Sequence, residues 1–106
     1  MFAALQRWEF LVRRMEGPWS DTKYYMVYEY LDQLTYRDTL EDFAHAMTPA
    51  LRDQFLRSIA PLDHRYRAAT VDDDGTELAQ YWKPLRDGRE TRWWWTRRPR
   101  ALPPGW

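Results

Sequence analysis

The sequence predicts a mostly α-helical single domain, a small bundle of four or five helices followed by an extended or hairpin-like C-terminal arm. Apolar residues recur at three- and four-residue intervals through most of residues 2–69, which is the period of an amphipathic helix. Glycine, proline and cap-forming residues divide this stretch into helix-sized segments. A chain of 106 residues suffices for one modest core, and its 44% hydrophobic content is typical of a folded domain.

The first predicted helix covers residues 2–16. Gly17 and Pro18 are expected to end it, because proline cannot continue a helix. Its apolar stripe, which lies opposite charged residues, consists of Leu5, Trp8, Leu11 or Val12, and Met15.

The second predicted helix begins after the capping residues Ser20 and Asp21 and extends to Leu34. Tyr25 and Tyr30 fall outside its apolar stripe and are expected to be partly exposed. The stripe itself is expected to pack in the core and consists of Tyr24, Val27, Tyr28, Leu31 and Leu34.

A further apolar stripe follows on a different side. Because an α-helix turns by about 100° per residue, this stripe is rotated by about 160° from the stripe before it. One straight helix therefore cannot bury both stripes against one partner. Thr35 to Asp38 has the T-x-x-D form of a capping box, which predicts a break between two helices at Thr35. The alternative is one long helix that serves two cores, which would itself imply a dimer. The second stripe consists of Tyr36, Leu40, Phe43 and Met47.

The next helix start is indicated by Thr48 and Pro49, a cap hydroxyl followed by proline at the first helical position. Pro61 is expected to end or kink this helix, and residues 62–69 are expected to add one or two turns. Its apolar positions are Leu51, Phe55 and Ile59.

Short elements are expected after this helix. Residues 72–75 form a polar Asp-Asp-Asp-Gly turn. Thr76 is then expected to cap a short helix that Pro84 ends, although Tyr81 and Trp82 also suit a strand.

Charge is distributed unevenly along the chain. Residues 83–100 carry seven basic and two acidic side chains, net +5, whereas the rest carries nine basic and fourteen acidic side chains, net −5. We therefore divide the chain into an acidic helical domain, residues 1–83, and a basic arm rich in Arg, Trp and Pro, residues 84–106. The arm is expected to pack on the acidic helices of its own chain or of a neighbouring subunit.

The arm contains the candidate binding residues. After a tight turn at Asp87 and Gly88, residues 90–98 are expected to be extended. Trp93 and Trp95 would then share one face and clamp the arm onto the helices, which leaves Trp94 on the opposite, exposed face. Arg and Trp dominate binding hot spots and also hold single-stranded nucleic acid. The candidate partner-binding residues are Arg92, Trp93, Trp94, Trp95, Arg97 and Arg98.

One predicted helical face carries half of a possible metal site, formed by Asp38, Asp42 and His45. Asp42 and His45 have the carboxylate-x-x-His spacing that bundle metal sites use. No other part of the sequence repeats this spacing, so these residues are only weak candidates. We predict an ordinary acidic helix face, with no metal and no cofactor.

Catalysis is not expected, since Ser20 and Ser58 lie outside any G-x-S-x-G elbow and the four glycines form no phosphate loop. The absence of Cys excludes disulfides and sulfur-based zinc sites.

No apolar run suits a membrane span or a signal peptide, which predicts a cytoplasmic protein. Fourteen Arg against two Lys, with no Asn, is typical of a GC-rich bacterial genome.

The leading functional hypothesis is a small non-enzymatic bacterial protein that binds itself, as a homodimer, or another protein. The alternative is binding of nucleic acid or an acidic partner through the arm. A metal-binding or enzymatic helical bundle is the third hypothesis.

Overall fold

The computed structural model describes residues 2–17, 26–103 and 106. It confirms the mostly α-helical class with a short two-stranded pairing near the C-terminus. The elements in chain order are α1 (Phe2–Glu16), α2 (Val27–His45), α3 (Pro49–Ala69), β1 (Thr70–Asp72), α4 (Thr76–Ala79), α5 (Lys83–Arg86), a 3₁₀ turn (Trp93–Thr96) and β2 (Arg97–Pro99). Strands β1 and β2 are antiparallel, with Val71 opposite Arg98.

Helix α1 has the predicted bounds and ends where Gly17 N donates to Arg14 O at 3.3 Å. Pro18, the second expected stop, lies outside the described residues. The buried face of α1 is centred on Trp8, Leu11 and Val12, each completely inaccessible to solvent.

The predicted break at Thr35 is wrong, because α2 is continuous from Val27 to His45. Its buried side runs through Leu34, Arg37 and Leu40, and Arg37 is only 2% exposed. A charged residue therefore occupies a position on the stripe where an apolar residue was expected. The Thr35 hydroxyl makes no cap, since it donates to the carbonyl of Asp32 within the helix.

Tyr28 and Tyr30 of α2 have exposures opposite to those predicted for them. Tyr28 is 61% exposed, whereas Tyr30 is completely buried between α2 and α3. The reason is the course of the buried side, which passes through Val27, Tyr30 and Leu31 and leaves Tyr28 about 100° away from Val27. The predicted caps and the other two tyrosines, Ser20, Asp21, Tyr24 and Tyr25, lie outside the described residues.

Helix α3 begins at the predicted Thr48–Pro49 signal and continues through Pro61, so the expected end at that proline is wrong. Pro61 lies on the exposed side of the helix, where the ring meets solvent rather than a neighbouring element. The capping is also different in detail. The Thr48 carbonyl accepts from Arg52 N at 2.8 Å, but its hydroxyl makes no cap hydrogen bond.

The predicted turn is present at residues 73–75, although Asp72 still belongs to β1, and the side chain of Asp73 accepts hydrogen bonds at the start of α4. One carboxylate oxygen of Asp73 accepts from Gly75 N and the other from Glu77 N, each at 3.0 Å. Thr76 is therefore the first residue of α4 and not its cap. Gly75 has a positive φ of 81°, and an added Cβ would lie 2.9 Å from Leu85 Cδ2.

Pro84 begins a new helix rather than ending one. It is the second residue of α5, at a position where the missing N–H costs no helical hydrogen bond. Tyr81 and Trp82 lie in the connection between α4 and α5 and form no strand.

The core lies where α1 packs on α2 and α3, and the 3₁₀ turn closes it. Large aromatic side chains dominate its centre, as the surplus of Trp and Tyr allows. Those that are at most 1% exposed are Trp8, Tyr30, Tyr66, Trp94 and Trp95.

A pair of Leu→Ala substitutions tests this assignment of the core. Leu34 is 0% exposed and Leu51 is 55% exposed. Leu34→Ala should lower the free energy of unfolding by about 2 to 5 kcal/mol, because it leaves a cavity, whereas Leu51→Ala should cost less than about 1 kcal/mol. Urea unfolding of both variants measures the difference. Equal losses would show that the core is misassigned.

Candidate interaction surfaces

The arm is anchored to α2 by the carboxylate of Asp38. Trp94 Nε1 and Trp95 Nε1 both donate to Asp38 Oδ1, at 2.8 and 2.9 Å. Arg92 Nη1 lies 3.3 Å from the same oxygen. An ionised carboxylate only accepts hydrogen bonds, so Asp38 satisfies two indole donors and a guanidinium at one point.

Trp94 is buried, and the prediction that it is exposed on an extended segment is wrong. Residues 93–96 form a 3₁₀ turn in which Trp94 and Trp95 are 1% and 0% exposed, while Trp93 is half-buried. A turn of this kind directs consecutive side chains about 120° apart, so both Trp94 and Trp95 reach the core. An extended strand would send them to opposite faces.

The aromatic faces of these residues are covered by other groups. Trp95 stacks on Trp82 with ring centroids 4.8 Å apart and planes within 6°. The guanidinium of Arg67 lies 3.9 Å from the ring centroid of Trp93, and that of Arg37 lies 4.3 Å from that of Trp94. These are cation–π contacts within the chain.

Each guanidinium among the candidate binding residues also has a partner in the chain. Arg92 Nη2 donates to Asp42 Oδ1 at 2.6 Å, and hydrogen bonds to Asp42 and Asp38 raise the pKa of Arg92 above its ordinary value. Arg98 Nε lies 3.8 Å from Asp73 Oδ2. Arg97 donates to Thr70 Oγ1 at 2.9 Å. Much of the positive charge of the arm is thus matched internally.

Two arginines of the arm cap the end of α3. Arg97 Nη2 donates to the carbonyl of Arg67 at 3.1 Å, and Arg100 Nε donates to that of Ala68 at 2.8 Å. The last carbonyls of a helix lack partners within it and carry partial negative charge, so cations are favourable there. The arm therefore contacts α3 through backbone carbonyls as well as α2 through carboxylates.

Two buried hydroxyl groups hold the backbone of the arm. Tyr66 Oη lies 3.0 Å from the carbonyl oxygen of Trp94, and Tyr30 Oη lies 3.0 Å from that of Arg97. The two hydroxyl oxygens lie 2.5 Å apart, so one hydroxyl donates to the other, which in turn donates to its backbone carbonyl. Burial raises the pKa of Tyr66, and the hydrogen bond with Tyr30 acts in the opposite direction.

A buried ion pair lies beneath the anchored arm. Arg37 donates to both oxygens of Asp63, from Nε at 3.0 Å and from Nη2 at 2.8 Å. Trp8 Nε1 donates to Asp63 Oδ1 at 3.0 Å. This pair was not predicted, because a buried Arg with a distant partner has the same local sequence pattern as an exposed one.

The three weak metal candidates do not come together as the ligands of one metal site. Asp38 and Asp42 both contact Arg92, and His45 is exposed at the last turn of α2. Within the described ranges, no three potential metal ligands come together.

A cavity of about 430 Å³ lies at the C-terminal ends of α1 and α3. Its charged residues are largely occupied, since Glu16 accepts two hydrogen bonds from Arg65, at 2.5 and 2.9 Å. The same pairing holds the pKa of Glu16 below its ordinary value. Arg100, also in the lining, donates to the end of α3 as described above.

An exposed apolar face lies at the tip of the α2–α3 hairpin. Phe43 and Leu51 are 44% and 55% exposed, and the rings of Phe43 and Phe55 lie 5.9 Å apart. This tip face encloses a groove of about 340 Å³. Its signal in the sequence was the second stripe of α2 together with the apolar positions that open α3. The groove is lined by Phe43, Met47, Leu51, Gln54, Phe55 and Ser58.

Comparison with known proteins adds no relative, since no protein-family model, curated protein or solved structure matches the chain. Among the described residues, the helices are too short or too polar to span a bilayer.

The anchoring role of Asp38 can be tested with a matched pair of Asp→Asn changes. Asp38→Asn should lower the free energy of unfolding by about 2 to 3 kcal/mol, because a neutral amide no longer balances Arg92 and weakens the hydrogen bonds from both indoles. Asp42→Asn, at a side chain 67% exposed, should cost less than about 1 kcal/mol. Urea unfolding followed by tryptophan fluorescence measures both costs. Similar values for the two variants would contradict the anchor.

The buried tyrosine predicts a loss of stability in alkali. In the unfolded chain Tyr66 ionises near pH 10, whereas burial keeps it protonated in the folded state. The unfolded state therefore releases a proton first, and the free energy of unfolding should fall above about pH 10 by up to about 1.4 kcal/mol per pH unit for this group.

Tyr66→Phe should flatten that slope by the contribution of one proton. Urea unfolding between about pH 9 and about pH 11 gives the slopes. If wild type and Tyr66→Phe lose stability equally, Tyr66 does not carry the effect.

Proposed function

We propose that this chain is a small non-enzymatic interaction protein that self-associates as a homodimer. The observation that carries the proposal is the exposed apolar tip face, with Phe43 and Leu51 as its most accessible side chains. Contiguous apolar surface of this kind on a small domain marks a site of association. The Arg-rich composition is the ground for proposing a bacterial source, and the lack of a long apolar run is the ground for proposing the cytoplasm.

The tip face is a better candidate than the arm for the contact with a partner. Trp94 and Trp95 belong to the core, and Arg92 is held by Asp38 and Asp42. Detaching the arm to bind a partner would break these contacts and expose two large aromatic side chains. The arm therefore supports the fold, and association is assigned to a surface that needs no rearrangement.

The alternative of nucleic-acid binding gains no specific support from the site. Base stacking needs open aromatic faces, whereas Trp94 and Trp95 are buried and Arg67 covers Trp93. The net −5 carried outside residues 83–100 also opposes the approach of a polyanion.

Sedimentation equilibrium tests self-association directly. A face built from four apolar side chains falls at the small end of protein interfaces, so we expect a dimer with a dissociation constant of about 1 to 100 µM. The measurement should run from about 1 µM to about 1 mM. Because the interface is apolar, association should change little between low and high salt. A monomer throughout that range would contradict the proposal.

Deletion of residues 84–106 is not a suitable test of assembly. The deletion removes Trp94 and Trp95 from the core and, with Arg92, all three groups of the arm that anchor it to Asp38. Such a variant is expected to unfold, so loss of association would not identify the interface.

A further inference from the structure

We infer that the tip face binds the same face of a second copy around a two-fold axis. This rests on the self-association proposed above and specifies its surface and symmetry. The face is uncovered because the first part of α3 extends beyond the part of the core that buries this helix. Leu40 and Ile59 are 0% and 1% exposed, whereas none of residues 49–58 in α3 is buried.

The continuity of α2 supplies the first argument for a second copy. One side of the helix is buried in the chain's own core through Leu34, Arg37 and Leu40. Phe43 lies off that side, packs against Phe55 of α3 and stays 44% exposed in the groove of the tip face. The chain's own core leaves this side of the helix open to solvent, and a neighbouring copy would cover it.

The absence of charge on this face supplies the second argument. Across a two-fold axis each patch meets itself, so a charged side chain near the axis would face its own copy and repel it. None of the described residues that line the groove is charged. Arg52, next to Leu51 in α3, donates to the carbonyls of Ala44, His45 and Met47.

The two polar side chains of the face are also compatible with pairing to themselves. Ser58 Oγ donates to the carbonyl of Phe55, so this hydroxyl proton already has an acceptor in the chain. The amide of Gln54 both donates and accepts, and two such amides can satisfy each other across the axis. An uncharged face of this composition buries no unpaired ion when two copies meet.

The third argument is that pairing of a face with itself gives an assembly that closes at two copies. Phe10, 47% exposed, is another apolar side chain on the surface, but docking it into the tip groove of a neighbour would be a head-to-tail contact. Head-to-tail contacts add copies without limit unless they close into a ring. A face that pairs with itself is saturated at two copies. Two hairpins meeting in this way would form a four-helix contact from α2 and α3 of each copy.

A charge-swap experiment tests both the surface and its symmetry. Leu51→Glu and Leu51→Lys each place like charges opposite one another in the dimer, and each should weaken it by about 100-fold. An equimolar mixture should recover association, because Glu then faces Lys. Leu102→Glu is the matched control, since Leu102 is 42% exposed and lies outside the tip face. Sedimentation equilibrium is the readout, with circular dichroism to verify folding.

Cross-linking gives an independent measurement, because the native chain has no cysteine. Gln54→Cys treated with a short bis-maleimide should give a covalent dimer. Arg13→Cys, at a side chain 69% exposed on α1, should not. Efficient linking at Arg13→Cys with none at Gln54→Cys would overturn the assigned face.

The outcomes separate this inference from the proposed function. If the wild-type protein stays monomeric at about 1 mM, both the proposed self-association and the assignment of the tip face are wrong. A wild-type dimer that Leu51→Glu leaves intact removes the tip face and keeps self-association through another surface. If both Leu51 variants dissociate but their mixture does not recover, the face binds a different surface and the two-fold pairing is wrong. Loss in each variant with recovery on mixing supports the inference.

Discussion

The ion pair between Arg37 and Asp63 joins α2 to α3, and the other layers of the molecule rest on it. Asp63 also accepts from the indole of Trp8 in α1, and the guanidinium of Arg37 lies over the ring of Trp94. Four parts of the chain meet at one pair of opposite charges. A buried charge is tolerable only with a well-placed partner, so this pairing constrains how the helices and the arm are arranged. The contacts of Asp38, the next residue of α2, then attach the arm.

The same ion pair explains why parts of the fold could be predicted and others not. The first helix, the Thr48–Pro49 start and the turn at residues 72–75 follow from local signals, namely period, cap and turn residues. The break predicted at Thr35 failed because the stripe of α2 passes through Arg37, whose partner is 26 residues away. Trp94 was misplaced for a related reason, since a 3₁₀ turn and an extended strand are hard to distinguish in a run of Trp residues. Long-range partners are not visible in a local pattern.

The charge asymmetry of the chain has an intramolecular use. Sequence analysis assigned binding to the basic arm, whose guanidinium groups instead contact carboxylates of α2 and the terminal carbonyls of α3. The residues proposed for association are uncharged and apolar, and they lie at the far ends of the two longest helices. Strong charge and exposed hydrophobicity are thus separated on this molecule. The charged groups of the arm stabilise the fold, and the exposed apolar tip face is free for a partner.

The position of Trp94 and Trp95 in the chain has a consequence for biosynthesis. A ribosome releases the chain from its N-terminus, so α1, α2 and α3 emerge well before these two side chains. Until they arrive, the three helices lack two of the largest groups in their common core, and apolar surface on each helix stays open to water. Closing the core requires contacts between residues more than 50 positions apart, such as Asp38 with Trp94. Folding is therefore expected to complete only after translation of the arm, and the nascent helices are the stage most exposed to aggregation.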